Sequence, residues 1–390
     1  MIQTNPKKNK LGLSASNSIS LYNLPIYAMI AGIMPNTLET ILAGQPQYRL
    51  KQIEKAKFDA TIDGYSQITT LSLALREQLQ EIPWLAVKLH TLEKSKIDNT
   101  EKALLQLADG GLIETVLMGR ENAKPVNDGG DRYTICVSSQ VGCPMACVFC
   151  ATGLTGFGRN LTVDEIVDQF RFWQRYSQNR ISNIVVMGQG EPLLNYANLK
   201  EALLIILRNT EIGPTKITVS TCGVPVAMDK ILKDKDFPQV RWAVSLHSAI
   251  EETRARIMPS HQKGFLKYLP EWANQYHKFI PSRTHFIGLE YLMLKGINDD
   301  EKHLLALQKI AAKFPRVRIN LIPYNTSDFS VKKGIILEGS TSDKIGFWHD
   351  YLIKAGFVCT VRYSQGGDIA AACGQLCNTV DKESDFSKSY

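Results

Sequence analysis

The sequence lacks an uninterrupted apolar segment that could cross a membrane. Its longest nearly apolar run, Leu21 to Met34, contains Asn23, Pro25 and Gly32 and is shorter than the ~18–20 residues that a spanning helix needs. Arginine is absent before Arg49, which argues against an Arg-rich transit peptide, and the proline and asparagine in the apolar run argue against a signal peptide. We therefore expect a cytoplasmic protein without a membrane partner.

Cysteine is missing from the first 135 residues, and a strong excess of charge is missing from the whole chain. The 45 Lys and Arg residues against 38 Asp and Glu residues give a net charge of +7, which is too modest to indicate nucleic-acid binding by itself. With 44% hydrophobic residues the composition is globular, which excludes wholesale disorder and fibrous repeats. The length of 390 residues predicts two or three domains, or one large α/β domain with an extension.

The pattern along the chain changes three times. Residues 1–35 form an extension to which we assign no role. Residues 36–108 carry apolar positions spaced among charges, which predicts a small helical domain. Residues 109–377 alternate between strand and helix patterns, and residues 378–390 form a short tail.

Short runs rich in β-branched residues alternate with helical segments after residue 108. The helix predicted over Val163–Tyr176 starts with a capping box formed by Thr162 and Glu165. Repeated alternation of strand and helix predicts an α/β fold with a parallel sheet, and six or seven units indicate a complete or partial barrel. The predicted strands are Tyr133–Val137, Asn183–Met187, Lys216–Thr221, Val240–Leu246, His285–Leu294, Val317–Ile322 and Phe357–Arg362.

Polar residues follow these strands where each strand ends. In a parallel barrel the carboxyl ends of the strands share one face, where active sites lie, so we expect these side chains to converge. They are Gly190, Glu191, Ser220, Ser245, His247 and Asn325.

Three cysteines lie close together in a C-x3-C-x2-C pattern, Cys143, Cys147 and Cys150. Three thiolates on one loop can each bind one iron of a [4Fe–4S] cube and leave the fourth iron open for a substrate. A zinc site is the alternative, although zinc usually takes a fourth ligand and C-x2-C pairs. Clustered cysteines in a large chain point to metal or redox chemistry rather than to a disulfide framework.

This pattern, with an aromatic residue before the last cysteine, resembles the radical S-adenosylmethionine (SAM) enzymes. The wider motifs resemble one branch of them, the RlmN and Cfr family of RNA adenine methyltransferases. The resemblance implies a partial, TIM-like (β/α) barrel with a catalytic carboxyl-terminal loop behind a helical, RNA-binding accessory domain. The motifs are Cys136-Val-Ser-Ser-Gln-Val-Gly-Cys143, Asn160-Leu-Thr-Val-Asp-Glu165, Met187-Gly-Gln-Gly-Glu-Pro-Leu-Leu-Asn195, Ser245-Leu-His247, Asn320-Leu-Ile-Pro-Tyr-Asn325 and Ala372-Cys-Gly-Gln-Leu376.

The resemblance also implies a reaction that uses two SAM molecules. The first methylates a cysteine, Cys373 by position, and the second is cleaved to a radical that activates this methyl group for addition to the adenine. Cys136 then resolves the covalent adduct by forming a disulfide, and Glu114 matches the proton acceptor of the family. The residues at the strand ends fall on positions that contact SAM. Taken without the family, Glu114 could equally be a strand residue facing solvent.

The motif Gly190-Glu191-Pro192-Leu193 resembles RlmN, which methylates carbon 2 of adenine, more than Cfr, which methylates carbon 8. Ribosomal RNA and transfer RNA are the implied substrates, and flavodoxin or ferredoxin is the implied electron donor of a monomeric enzyme. Carbon-8 methylation stays open, as does a non-catalytic iron–sulfur or zinc RNA-binding module. The sequence departs from the family at Ala370, where an Asp is usual. We interpret Cys222 and Cys359 as packing residues.

Overall fold

A ten-stranded sheet forms the centre of this fold, which we describe from a computed structural model. The predicted extension, residues 1–35, and the predicted tail, residues 378–390, lie outside the described residues. None of the described helices is long and apolar enough to span a membrane. The structure describes residues 37–119, 133–177, 180–280, 285–328, 331, 334 and 336–377.

The sheet has the order β1-β2-β3-β4-β7-β8-β9-β10-β11-β12. Each strand from β1 to β4 pairs antiparallel with the next. The seven strands β4 and β7 to β12 pair parallel with their neighbours. The parallel part contains all seven strands that the sequence predicts, and β5 and β6 form a separate hairpin. The strands are β1 Val87–Lys94, β2 Thr100–Leu107, β3 Leu112–Gly119, β4 Tyr133–Cys136, β5 Gln140–Gly142, β6 Phe157–Asn160, β7 Ile181–Val186, β8 Ile217–Thr221, β9 Arg241–Ser245, β10 Ile287–Met293, β11 Val317–Pro323 and β12 Val358–Val361.

Helices between the parallel strands cover one face of the sheet, as repeated β-α units require. Helix α5 shows why they form: its predicted capping box is present, with Thr162 N–H donating to Glu165 over 2.8 Å and Glu165 N–H donating to the Thr162 hydroxyl over 3.2 Å. Trp173 of α5 is fully buried against the sheet. The helices are α1 Leu38–Ile41, α2 Tyr48–Lys57, α3 Leu73–Leu79, α4 Ala151–Thr155, α5 Val163–Ser177, α6 Tyr196–Asn209, α7 Pro225–Lys233, α8 Glu251–Ile257, α9 Phe265–Phe279, α10 Glu301–Ala311 and α11 Ser342–Lys354.

The prediction of helix throughout residues 36–108 is correct only for its first half. Helices α1 to α3 pack around a small core of their own, which includes Ile53 and Leu79. From Val87 the chain forms strands β1 and β2, which extend the sheet of the barrel. Strands β1 and β2 contain several lysines and glutamates, which are good helix formers, so their sequence favours helix. Pairing of β2 with the buried strand β3 overrides this weak preference.

The parallel strands lie so that their carboxyl ends share one face of the molecule. The fold class expected from the sequence is therefore confirmed: a partial, TIM-like α/β barrel follows a helical amino-terminal segment. Among the described residues β1 and β12 are the end strands of the sheet and do not pair with each other, so the barrel stays open. Its concave face is consequently reachable from the side as well as from the ends.

Candidate active site

Two adjoining cavities lie at the carboxyl ends of the parallel strands. The smaller encloses about 160 Å³ and the larger about 710 Å³. Cys373, Cys150 and Arg362 line both of them. A group on Cys373 can therefore be reached from either cavity.

The three clustered cysteines line the smaller cavity together. They lie on the loop between β5 and α4, where Cys143 N–H donates to Gly156 O over 2.8 Å and Cys150 N–H donates to Cys147 O over 3.1 Å. Burial raises the pKa of Cys143 and of Cys150, so these thiols ionise readily only beside a positive charge. The loop thus presents one buried and two half-buried cysteines to the same cavity.

Five of the six residues predicted to contact SAM line the same cavity; the exception is Asn325. Gly190 has a φ of 101°, and a Cβ there would lie 2.6 Å from Gln140 Cβ, so no larger residue fits this turn. Among the described residues, the Ser220 and Ser245 hydroxyls have no hydrogen-bond partner, which leaves both available to a ligand. Asn325 instead donates to Ser364 Oγ over 2.8 Å and faces the Cys373 loop.

Glu191 is fully buried and serves the protein as well as the cavity. Its carboxylate accepts hydrogen bonds from Thr221 Oγ1 and Cys222 N–H, both over 2.7 Å, and from Leu193 N–H over 3.0 Å. Burial raises the pKa of Glu191, and these three donors oppose that shift. Glu191 therefore ties the loop after β7 to the end of β8, a role that the sequence did not reveal.

His247 is held in one protonation state and one tautomer. It is almost completely buried, and burial together with the nearby Arg254 lowers its pKa to about 3. Its Nδ1 accepts a hydrogen bond from Leu292 N–H over 3.0 Å. A neutral imidazole whose Nδ1 is an acceptor carries its proton on Nε2, so His247 can donate from Nε2 to a ligand in the cavity.

Cys136 and Cys373 both line the larger cavity, as a pair that exchanges disulfide bonds requires. Cys136 ends β4, and Cys373 lies on the exposed loop after β12. Burial, followed by the nearby Cys373, raises the pKa of Cys136 to about 12, while a hydrogen bond with the Met187 backbone and the Arg362 cation oppose the shift. A cation beside the two sulfurs favours the thiolate form that exchange needs.

Arg362 was not predicted from the sequence. It follows β12, lines both cavities, and places its Nη1 3.5 Å from the Glu290 carboxylate. Burial lowers the pKa of Arg362, but the acidic groups around it, Cys373, Glu290 and Cys136, raise it overall. No local motif marks this residue, because its neighbours are far away in the sequence. Cys136 of β4 and Glu290 of β10 approach Arg362 only in the folded sheet.

Glu114 does not line either cavity. It lies on β3 and is buried, so the alternative of a solvent-facing strand residue is wrong. Its carboxylate lies 3.2 Å from Lys102 Nζ and 3.5 Å from Gln189 Nε2. Glu114 lies at the same end of the barrel as the cysteines. Its backbone carbonyl accepts a hydrogen bond over 2.6 Å from Ser138 Oγ, and Ser138 lies just after Cys136 at the carboxyl end of β4.

The two remaining buried cysteines differ. Cys359 is a core residue of β12, as the sequence indicates. Cys222, by contrast, lines the smaller cavity, and a hydrogen bond with the Cys147 thiol, followed by burial, raises its pKa. The apolar packing role expected for Cys222 is therefore incomplete, because the turn after β8 brings its thiol to the cysteine cluster.

Comparisons with known proteins identify what this arrangement belongs to. A model of the Radical SAM superfamily matches residues 137–307. A protein named dual-specificity RNA methyltransferase RlmN from Alcanivorax borkumensis is 37% identical to the chain, over 86% of the chain and 86% of its own length. A protein of the same name from Geotalea uraniireducens is 36% identical, over 88% of the chain and 95% of its own length. The chain belongs to the RlmN family.

A solved structure agrees with this membership of the RlmN family. A radical SAM methyltransferase from Sphaerobacter thermophilus is 32% identical, matches with a TM-score of 0.75, and covers 87% of this chain and 96% of its own. The chain is therefore a radical SAM RNA methyltransferase, and the resemblance noted in the sequence is confirmed. Membership implies a [4Fe–4S] cluster and SAM as its cofactors.

The smaller cavity fits these cofactors. Its donor set for the cluster consists of three thiols on one loop, with no carboxylate or imidazole on that loop, which suits iron–sulfur ligation. Within the described residues, no three His, Cys, Asp or Glu side chains lie close enough to hold a single metal ion. A cube takes one thiolate on each of three separate irons, so this wider spacing is compatible with a cluster.

Proposed function

We propose that this enzyme methylates carbon 2 of an adenosine in large-subunit ribosomal RNA and in transfer RNA. The name "dual-specificity" of its relatives supports two kinds of RNA substrate. The reaction runs in the cytoplasm through a methyl group on Cys373 and a transient disulfide with Cys136, and consumes two SAM molecules per turnover. The observation that carries this proposal is that Cys373 lines both cavities, one shared with the cluster cysteines and one with Cys136.

Each cavity has its own task in this proposal. Cys143, Cys147 and Cys150 would hold the [4Fe–4S] cluster, which would supply the electron that cleaves SAM. Gly190, whose turn excludes any side chain, lets the protein backbone approach SAM closely. The remaining polar residues of the site position SAM or the residues around it: Glu191, Ser220, Ser245 and His247. Asn325 acts indirectly, through the loop that carries Cys373.

The two catalytic cysteines act in sequence. Cys373 accepts the first methyl group as a thiolate and later carries the carbon that joins the base. The adduct loses one electron to the electron-transfer partner and one proton to the protein. The Cys136 thiolate then attacks the Cys373 sulfur, the bond between that sulfur and the carbon breaks with its electron pair on the carbon, and the carbon takes up a proton to become the methyl group as the disulfide forms. Arg362 favours the thiolate form of Cys136. Glu114 accepts the proton that the adenine carbon loses, which requires a movement of RNA or protein toward it because Glu114 lies outside the cavity walls.

The remaining partners follow from the reaction. Cleavage of SAM needs one electron, for which we propose flavodoxin or ferredoxin as the donor. Residues 37–84, which have a small core of their own, are proposed to dock folded RNA on a monomeric enzyme. Helix α5 supports this segment, since Arg175 donates to Lys57 O over 2.7 Å.

Two variants separate the roles of the cysteines. Cys373→Ala should carry no protein-bound methyl group and make no product. Cys136→Ala should still accept the methyl group and should then accumulate a covalent protein–RNA species, because no second thiolate releases the adduct. Denaturing gels of reactions with radiolabelled RNA measure this species. Equal trapping in both variants, or normal turnover of Cys136→Ala, would contradict the assignment.

The position of the methyl group needs a separate measurement. Digested RNA product should co-elute in liquid chromatography and mass spectrometry with 2-methyladenosine. Co-elution with 8-methyladenosine would instead show the Cfr-type reaction. Absence of SAM cleavage after anaerobic reconstitution with iron and sulfide would favour a non-catalytic RNA-binding module.

A further inference from the structure

Two arginines flank one phenylalanine at the end of the barrel opposite the cysteines. Arg241 is the first residue of β9, Arg318 is the second residue of β11, and Phe286 directly precedes β10, the strand between them. The guanidinium carbons lie 5.2 Å and 4.2 Å from the centre of the Phe286 ring. The three side chains therefore form a compact group, the Arg241–Phe286–Arg318 clamp.

This clamp lies on the concave face of the sheet. Trp242 and Ile319, the next residues along β9 and β11, are buried in the core, where Trp242 packs against Trp272 of the outer helix α9. Since side chains alternate between the faces of a strand, Arg241 and Arg318 point to the opposite face. Farther along β11 the same face carries Asn320, whose amide donates to Glu290 near the active site.

The described residues do not neutralise the charges of the clamp. Among the described residues, no carboxylate lies within ion-pair distance of Arg241 or Arg318. The Nε–H of each is buried without a hydrogen-bond acceptor in the same part of the chain. Burial, followed by repulsion from Arg318, lowers the pKa of Arg241. Both arginines are only half-buried, but two adjacent cations repel each other, and an anion between them would offset that repulsion.

A third cation connects this end of the barrel to the active site. Lys216 precedes β8, two residues before Thr218, which pairs with Arg241, so it lies on the same face. The larger cavity is lined by Cys136 and Cys373 at one end and by Lys216 at the other. The clamp residues do not line this cavity, but they lie on the same concave face, at the amino ends of strands β9 and β11.

We propose that the Arg241–Phe286–Arg318 clamp binds a backbone phosphate of the RNA substrate, at a nucleotide some distance from the methylated adenosine. The planar fork of a guanidinium matches the oxygens of a phosphodiester, and two forks supply several donors. This proposal extends the RNA methyltransferase activity of the family with a contact outside the catalytic cavities. It requires RNA as the substrate but does not depend on which adenine carbon is methylated.

The test uses the full-length protein and a fluorescein-labelled RNA hairpin with an adenosine-containing loop. Fluorescence anisotropy at several salt concentrations gives the affinity and its salt dependence for wild type, Arg241→Gln, Arg318→Gln and the double variant. Each substitution should weaken binding about tenfold at low salt. Each should also reduce the slope of log K against log salt by about 0.7–0.9, the value for one lost phosphate contact.

Controls distinguish loss of the contact from loss of the fold. Arg208→Gln removes an exposed arginine of α6 that pairs with Glu201, and should leave affinity and slope as in wild type. The Arg241 and Arg318 variants should melt at the same temperature as wild type or higher, because the repulsion is relieved. Wild-type affinity and slope in the double variant, or an equal loss in Arg208→Gln, would overturn the proposal.

Inorganic phosphate serves as a second probe. If phosphate raises the melting temperature of wild type but the double variant still binds RNA normally, the clamp binds a small anion and not the substrate, and the proposal is wrong. SAM cleavage by wild type without RNA is measured in parallel. Failure of that reaction would refute the proposed function and leave the RNA-binding result standing on its own.

Discussion

The protonation state of His247 gives a quantitative test of the SAM site. The imidazole has a pKa of about 3 in the folded protein, against an ordinary value of 6.5. Above pH 6.5 it is neutral in both folded and unfolded chains. As the pH falls below 6.5, only the unfolded chain takes up the proton, so stability from this group is lost progressively down to about pH 3.

This linkage sets the size of the effect. Between pH 7.5 and pH 5.0, His247 should lower the free energy of unfolding by about 2 kcal/mol, since the unfolded chain gains a proton that the native site rejects. The matched variant is His247→Asn. Its side-chain oxygen can accept the Leu292 N–H bond that Nδ1 accepts now, and Asn tolerates the φ of 51° found at this position.

Urea denaturation of the cofactor-free protein at the two pH values measures the effect. Wild type should lose about 2 kcal/mol more than His247→Asn, because every other titrating group is common to both chains. NMR of the labelled imidazole should show the neutral form with its proton on Nε2 at both pH values. The same pH dependence in both proteins, or a titration of His247 near pH 6.5, would refute the assignment of His247 as a buried, neutral imidazole that donates from Nε2.

Three further substitutions test the surrounding site. Replacing any cysteine of the triad by Ala should abolish both the brown iron–sulfur absorption and SAM cleavage after anaerobic reconstitution; stoichiometric zinc without iron in wild type would contradict this. Lys102→Met removes the cation that lies 3.2 Å from the buried Glu114 carboxylate and should lower the free energy of unfolding by about 3–5 kcal/mol in urea; adding Glu114→Gln should restore most of it, and no recovery would contradict the pairing. Arg362→Gln removes a cation that lowers the pKa of Cys136, so the pH profile of turnover should move to higher pH, whereas Arg362→Lys should retain the wild-type profile; unchanged profiles would exclude this role.

Some of this site could be predicted from short stretches of sequence. The capping box at Thr162 and Glu165 and the seven parallel strands are encoded by residues a few positions apart, so local patterns reveal them. The same holds for the cysteine triad, whose ligands occupy one loop. Convergence of the polar residues after the strands followed from the rule that carboxyl ends of parallel strands share a face.

Other features depend on pairings that no short pattern contains. Lys102 and Glu114 approach each other because β2 and β3 pair antiparallel. The sequence pattern predicts helix for the residues of β2, so it gives no sign of this pairing. Arg241 and Arg318 approach each other only because β10 lies between their strands. Charged side chains on a concave sheet face leave no periodic apolar signal, so sequence analysis reads them as ordinary surface residues.

The loop that carries Cys373 is anchored at a different residue from the one that the family pattern emphasises. The sequence departs from the family at Ala370, which adopts a left-handed conformation with a φ of 50°. Two residues earlier, Asp368 accepts hydrogen bonds from Ser95 Oγ and Lys96 N–H, both over 2.8 Å. These bonds hold the start of the loop against the turn between β1 and β2 and lower the pKa of Asp368, so the anchor persists at neutral pH.

Asp368→Ala should therefore loosen the loop, whereas Ala370→Gly should leave it in place and relieve about 1 kcal/mol of backbone strain. We expect faster hydrogen–deuterium exchange in peptides covering residues 366–377 of Asp368→Ala and less methyl group on Cys373 per hour, with the iron content unchanged because the cluster ligands lie on another loop. Ser95→Ala removes one of the two hydrogen bonds and should show a smaller effect in the same direction. If Asp368→Ala exchanges like wild type while Ala370→Gly exchanges faster, position 370 is the anchor and the hydrogen bonds of Asp368 are incidental.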